Sequence, residues 1–202
     1  MKGPPERRSG KLSRKVRGLW GAIRRETTFN VEGQLRTFIG TFVGLGIISL
    51  LQSLFLSELD NVLLIGSFGA LAVLIFAAPA SPLVQPRNIF GSQTLSALIG
   101  VTVYKFFPDV IWLTAPLAVA ASITAMQITR TLHPPGGATA LIAVIGTESI
   151  RRLGYFYVLS PVLSGTLVIF LVALVSNDRR GGHRYPVNRS RLIDAFRFRG
   201  RR

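Results

Sequence analysis

The segment His133-Pro134-Pro135-Gly136-Gly137-Ala138-Thr139-Ala140 stands between two apolar runs and concentrates residue types that a lipid-facing helix does not tolerate. Prolines and glycines interrupt helical backbone. Non-helical backbone survives at membrane depth only when it is buried in protein or lines a wet cavity, and transporters place their sites at such broken points. Pro134 and Pro135 suit the start of a helix, where a missing N–H costs nothing. Gly136, Gly137 and Ala138 would then present free N–H groups at a positive dipole end, with His133 beside them. That arrangement suits an anion.

A second broken point precedes this one. Pro79-Ala80-Ser81-Pro82-Leu83-Val84-Gln85-Pro86-Arg87-Asn88 leads into Gly91-Ser92-Gln93, whose amides would be placed in the same way. The candidate anion site therefore comprises His133, Arg87, Gly91, Gln93, Gly136, Gly137, Thr139 and Ser67, with Thr94 and Ser96 as further neutral donors. Pro82, Pro86, Asn88, Pro134 and Pro135 shape the two loops. Blander readings stand beside these. Arg87 serves equally well as an orientation signal, His133 as a cap on a carbonyl, and Arg130 as a membrane-surface anchor.

The remaining chemistry narrows the function. All nine carboxylates fall outside the apolar runs, so cation and proton pathways that need an intramembrane acid are disfavoured. No serine–histidine or paired-carboxylate arrangement occurs at helical spacing, and no enzyme activity is expected. There are two histidines and no cysteine, a poor set for a metal, so neither metal nor cofactor is expected.

Elements must position these residues, and the composition says which kind. The 202 residues have a mean hydropathy of +0.42 and are 49% hydrophobic, above the range of soluble domains. Charge is segregated. Residues 1–36 hold ten Lys/Arg and three acids, residues 177–202 hold nine Arg and two acids, and five basic residues occupy the stretch between. Both basic blocks flank apolar segments, which favours tails on an anionic leaflet over nucleic acid as the source of the net +15. In the first block Leu12, Val16, Leu19 and Ile23 form one stripe opposite Lys11, Arg14, Lys15 and Arg25, an amphipathic basic helix for a membrane surface or else a solvated tail. The Arg-rich C-terminal tail, with Gly181, Gly182 and Pro186, reads as flexible. The first apolar run begins near Leu35, too late for a signal peptide, and reads as a retained span.

A bilayer core of about 30 Å needs about 20 apolar residues per helix. Leu35–Leu56, Val62–Ala80, Ile89–Phe107, Ile111–Thr129 and Val158–Ser176 meet that length, and Ala138–Gly146 is an apolar helix too short to span. The fold class is all-α: a polytopic helical membrane protein of about six helices, with a four-crossing version carrying a re-entrant pair as the alternative. The organisation is a basic tail over 1–34, a transmembrane domain over 35–176 and a second tail over 177–202. Gly40 and Gly44 form a GxxxG pair for close helix packing, within the chain or in a homo-oligomer. Counting Lys/Arg puts both termini and both proline-rich loops in the cytoplasm, with the plasma (inner) membrane as location.

The chain also echoes itself. Gly91–Gly100 aligns with Gly137–Gly146 at five of ten positions, both glycines, Leu, Ala and Ile, at a separation of 46 residues. Each copy follows a proline-rich loop bearing Arg87 or His133, and one down-and-up pair of helices separates them, so the copies would run parallel. Chance similarity between small-residue helices is the competing explanation.

Gly66-Ser67-Phe68-Gly69-Ala70, the Pro79–Asn88 loop and the His133–Ala140 segment together resemble the HPP family of integral membrane proteins over roughly residues 30–176. The His-Pro-Pro triplet that names the family is matched by His133, Pro134 and Pro135. The resemblance implies a small helical domain, usually described with four transmembrane segments, and plant chloroplast and cyanobacterial members are linked to nitrite transport. Where the family pattern places Gly-Gly-His, this chain reads Gly91-Ser92-Gln93, and Gln93 cannot titrate. The expected function is a membrane transporter or channel for a small inorganic anion, nitrite-like by resemblance, with His133 near its usual pKa of about 6.5 available to carry a proton. The alternative is a non-transporting scaffold or anchor that uses the basic tails and small-residue faces.

Overall fold

A computed structural model describes residues 31–56, 58–177 and 185–186, and every regular element among them is helical. The amphipathic basic stripe of residues 12–23 and most of the C-terminal tail lie outside the described residues. The chain divides into two compact units, residues 1–35 and 36–202. The first contributes only the described opening of one helix, Val31–Leu35.

Among the described residues, seven helices follow in order. They are α1 (Val31–Ser53), α2 (Glu58–Ala77), α3 (Pro86–Phe106), α4 (Ile111–Ile128), α5 (Pro135–Ile145), α6 (Glu148–Leu153) and α7 (Val158–Asn177). A single 3-10 turn, Pro82–Val84, lies between α2 and α3. The six apolar helices expected from sequence all form, and α6 is a short addition capped by Thr147. Prolines begin three of these elements, Pro82 the turn, Pro86 α3 and Pro135 α5, because a fixed φ and a missing donor cost nothing there.

Four helices, α1, α2, α4 and α7, are long and apolar enough to cross a bilayer. Besides the six-residue α6, the two that are not are α3, expected as a full span over Ile89–Phe107, which has 21 residues but carries buried Ser92, Gln93 and Ser96, and α5, which has only 11. These are the two copies of the internal echo. They pack against each other and against α4, so protein rather than lipid surrounds their polar faces. Their alignment is parallel: Gly136 of α5 meets Ser92 and Ser96, while Ala140 and Ala143 meet Gly100 further along α3.

Small residues set that approach. A methyl group on Gly100 would lie 2.6 Å from the Ala140 carbonyl oxygen and 2.8 Å from the Ala143 Cβ. Gly40 and Gly44 of α1 pack within the chain, on the ring of Phe76, where a methyl on Gly40 would come within 2.8 Å. The outward faces of the long helices carry Phe38, Phe42, Leu50, Trp112 and Val175, all more than 60% exposed, as lipid contact requires.

The expectation that every carboxylate falls outside the apolar helices changes at one residue. Helix α2 begins at Glu58, so Asp60 sits in its first turn, and it is fully buried. Its carboxylate accepts the Thr147 N–H and the Thr147 hydroxyl, tying the start of α2 to the start of α6. Nearby cations are matched, Arg151 with Asp109 at 3.0 Å and Arg152 with Glu148 at 3.2 Å. Lys105 lies over the Tyr155 ring, 4.7 Å from its centroid, a cation–π contact at the end of α3.

Candidate functional site

Three of the sequence-selected residues meet in the interior. Ser67 of α2, Gln93 of α3 and Thr139 of α5 are each at least 98% buried. The Thr139 hydroxyl donates to Gln93 Oε1 at 2.5 Å, and Ser67 Oγ lies 2.9 Å from Thr139 Oγ1. The Pro135 carbonyl is 3.3 Å from both hydroxyls. Each hydroxyl has one proton. With Thr139 giving its proton to Gln93, Ser67 donates to Thr139 or to Pro135, and the chain runs Ser67 to Thr139 to Gln93.

That chain ends in unused donors. Gln93 Nε2 is buried and has no hydrogen-bond partner among the described residues, and the same holds for Ser96 Oγ and Ser122 Oγ. Ser96 lies one helical turn beyond Gln93 and approaches the Gly136 position. Ser122 belongs to the α4 face whose Val119 and Met126 border Gly137 and Gly136. Burying such groups unpaired costs about 1–3 kcal/mol each, so these donors favour a polar partner such as water or an ion. All five side chains are neutral.

Tyr157 closes one side by donating to the Thr139 carbonyl at 3.0 Å. Sequence reasoning passed over Tyr157, Ser122 and Asp60. Tyr157 and Asp60 had no motif to mark them, and Ser122 reads as an ordinary small packing residue.

The loops meet at one end of the bundle, away from this cluster. His133 Nδ1–H donates to the Leu83 carbonyl at 2.8 Å. Asn88 Nδ2 reaches the carbonyls of Pro82 and Leu132 at 3.0 and 3.2 Å, and Arg87 Nη2 reaches that of Thr129 at 3.1 Å. The two proline-rich loops that precede the repeat copies therefore bond to each other. Arg87 is exposed and precedes Gln93 by six helical residues, a rise of about 9 Å. Arg87 and His133 do not join the buried cluster.

The amide cradle expected from sequence does not form. Gly136 N–H donates to the His133 carbonyl and Gly137 N–H to that of Pro134, each at 3.0 Å. Gly91 is interior to α3, which starts at Pro86, five residues before the expected N-terminal amides. These glycines serve packing instead. A methyl on Gly91 would lie 2.7 Å from Thr131 Cγ2, and one on Gly136 would lie 2.8 Å from Ser96 Oγ. Only Gly137 has ordinary room, with Val119 at 3.8 Å.

His133 is also a different acid from the one expected. It lies in the loop between α4 and α5, fully buried, and burial lowers its pKa from 6.5 to about 4 against the raising effect of the Leu83 carbonyl. At neutral pH it is an uncharged imidazole with its proton on Nδ1.

The family model of the HPP transmembrane region matches residues 26–186. The chain belongs to the HPP family. Two transmembrane proteins of Dictyostelium discoideum are 42% and 40% identical to it over 154 residues, which is 75% of this chain and 54% and 49% of theirs. The HPP chain thus spans about half the length of the curated relatives it matches. No solved structure matches it.

The HPP match extends past α7 to Pro186, and the structure gives a reason. Tyr185, expected to belong to a flexible tail, is 2% exposed and donates its hydroxyl to the Val84 carbonyl at 2.6 Å. Its ring meets Phe170 of α7 edge-on at 6.1 Å. In this HPP chain the eponymous His133 fastens one loop to the other.

Proposed function

We propose that this HPP protein is a multi-pass transporter or channel for a small inorganic anion of the nitrite type. The observation that supports it is the hydrogen-bond chain from Ser67 through Thr139 to Gln93, which ends on unpaired Nε2 donors in a buried cluster without a carboxylate. Neutral donors can replace the water around a monovalent anion without holding it too tightly to leave. Ser96 and Ser122 add two hydroxyls of the same kind. Arg87, exposed at the loop end, would attract anions toward the protein and not bind them in its interior. The reading is of a non-enzyme in the plasma (inner) membrane, with cytoplasmic termini assigned from the Lys/Arg distribution.

Flux into proteoliposomes tests this, comparing nitrite, nitrate, chloride and formate for the wild type and for Gln93→Leu. Saturable flux of one anion that Gln93→Leu abolishes, with folding retained, supports the reading. Absence of flux from folded wild-type protein rejects it and leaves the membrane scaffold, for which deletion of residues 1–28 should abolish partner binding.

A further inference from the structure

Three successive backbone carbonyls of the Pro82–Val84 turn are each taken by a side chain from a different segment. Asn88 of α3 takes Pro82 O at 3.0 Å, His133 of the loop before α5 takes Leu83 O at 2.8 Å, and Tyr185 takes Val84 O at 2.6 Å. Gln85 takes two more, Ser81 O at 2.9 Å and Pro79 O at 3.4 Å. The turn keeps two backbone bonds of its own, Val84 N–H to Ser81 O at 3.3 Å and Gln85 N–H to Pro82 O at 3.4 Å, and Asn88, His133 and Tyr185 fix its three carbonyls in addition. The grip of Tyr185 and His133 falls on adjacent residues, so moving either carbonyl moves the other across one peptide unit.

From this we infer that Tyr185 is a positioning residue through which the C-terminal segment sets the His133 loop and the first turn of α5. The contacts are continuous. Tyr185 holds Val84, the neighbouring Leu83 holds His133, and the His133 carbonyl accepts the Gly136 N–H. The Pro134 carbonyl that follows accepts the Gly137 N–H, and that of Pro135, two residues on from His133, faces the hydroxyls of Ser67 and Thr139. Release of Tyr185 is the route by which the C-terminal segment reaches the buried cluster. The inference holds whether or not that cluster carries an anion.

Adjacency alone does not establish coupling, and a double-mutant cycle does. The readout is amide hydrogen exchange of the full chain in lipid nanodiscs, followed at Leu83, Val84 and Gln85 and separately at Gly136 and Gly137, which Tyr185 does not touch. Tyr185→Phe keeps the ring on Phe170 and removes only the hydroxyl. It should speed exchange about 5-fold at residues 83–85 and also at Gly136 and Gly137. His133→Ala should do the same, and the double variant should stay within about twofold of the faster single one, since each grip depends on the other. His133→Asn, whose amide nitrogen is as many bonds from Cα as Nδ1, should restore slow exchange. Unchanged exchange at Gly136 and Gly137 in Tyr185→Phe, or single effects that multiply in the double variant, would overturn the inference.

Discussion

Gln93 and Thr139, 46 residues apart and at the same position of two matching segments, hydrogen-bond to each other in the interior. The internal echo is thus a contact as well as a similarity. Two helices of like sequence lie parallel, each introduced by a proline-rich loop, and the loops bond to each other at one end as the helices do at the centre. The positions at which the copies differ, glutamine in one and threonine in the other, are what make the pair complementary.

That complementarity makes Gln93 the most informative side chain to change. Gln93→Leu removes the acceptor for the Thr139 proton and the free Nε2 donors together, and should cost about 1–3 kcal/mol of stability as well as flux. Gln93→Glu keeps the shape and the acceptor but adds negative charge. Thermal unfolding in detergent should show the glutamate variant folded, and anion flux should fall at least tenfold.

Glycine 100 has no room for a methyl group. Gly100→Ala would press on the Ala140 backbone, which cannot swing aside as a side chain can, and should destabilise by about 1–3 kcal/mol or more. Gly66, with nothing within 4 Å of a Cβ, is the control. Gly66→Ala should be neutral or stabilise by up to about 1 kcal/mol through helix propensity. Unfolding midpoints measured side by side decide this.

The pH dependence of stability should carry the signature of His133. Its folded pKa of about 4 lies below the ordinary 6.5, so between those values the unfolded chain binds more protons. Stability therefore falls as pH drops from about 6.5 toward 4 and is indifferent to this group above that window. The non-titrating His133→Asn should flatten that part of the curve. A histidine titration that holds near 6.5 in NMR spectra of the folded wild type would contradict the burial argument.

Asp60 joins two helix starts, and the loss should be felt at both. The Thr147 N–H and hydroxyl go to different oxygens of the carboxylate, so Asp60→Asn keeps one acceptor, puts an N–H₂ group in place of the other, and should cost about 1.5–3 kcal/mol. Hydrogen exchange should rise in α6 and in the first turn of α2 together. A rise in α6 alone would mean that the carboxylate caps that helix without tying the two elements.

Much of this protein is legible in the chain of residues. The helices follow from apolar length, and their ends from proline, because both depend on local chemistry. The shortness of α5 already marks a helix that protein must shield, whereas the stretch over Ile89–Phe107 reads as a full span and its helix, α3, proves too polar for one. The parallel echo of Gly91–Gly100 and Gly137–Gly146 was visible as a repeat. Family membership was visible in the loop motifs.

Tertiary structure decided what those motifs do. Pairing of donors with acceptors is a matter of distance between segments far apart in sequence, and no local pattern fixes it. It turned Gly91 and Gly136 from anion donors into packing sites, because one lies inside α3, the amide of the other closes a turn, and a Cβ has no space at either. It made His133 a neutral clasp on Leu83, since burial penalises the charged ring. It drew Asp60 and Tyr185 out of apparent loop and tail into the interior. Ser67, Gln93, Ser96 and Thr139 of the cluster were nameable from sequence and Ser122 was not; which of their atoms remain unpaired was settled only by how the helices meet.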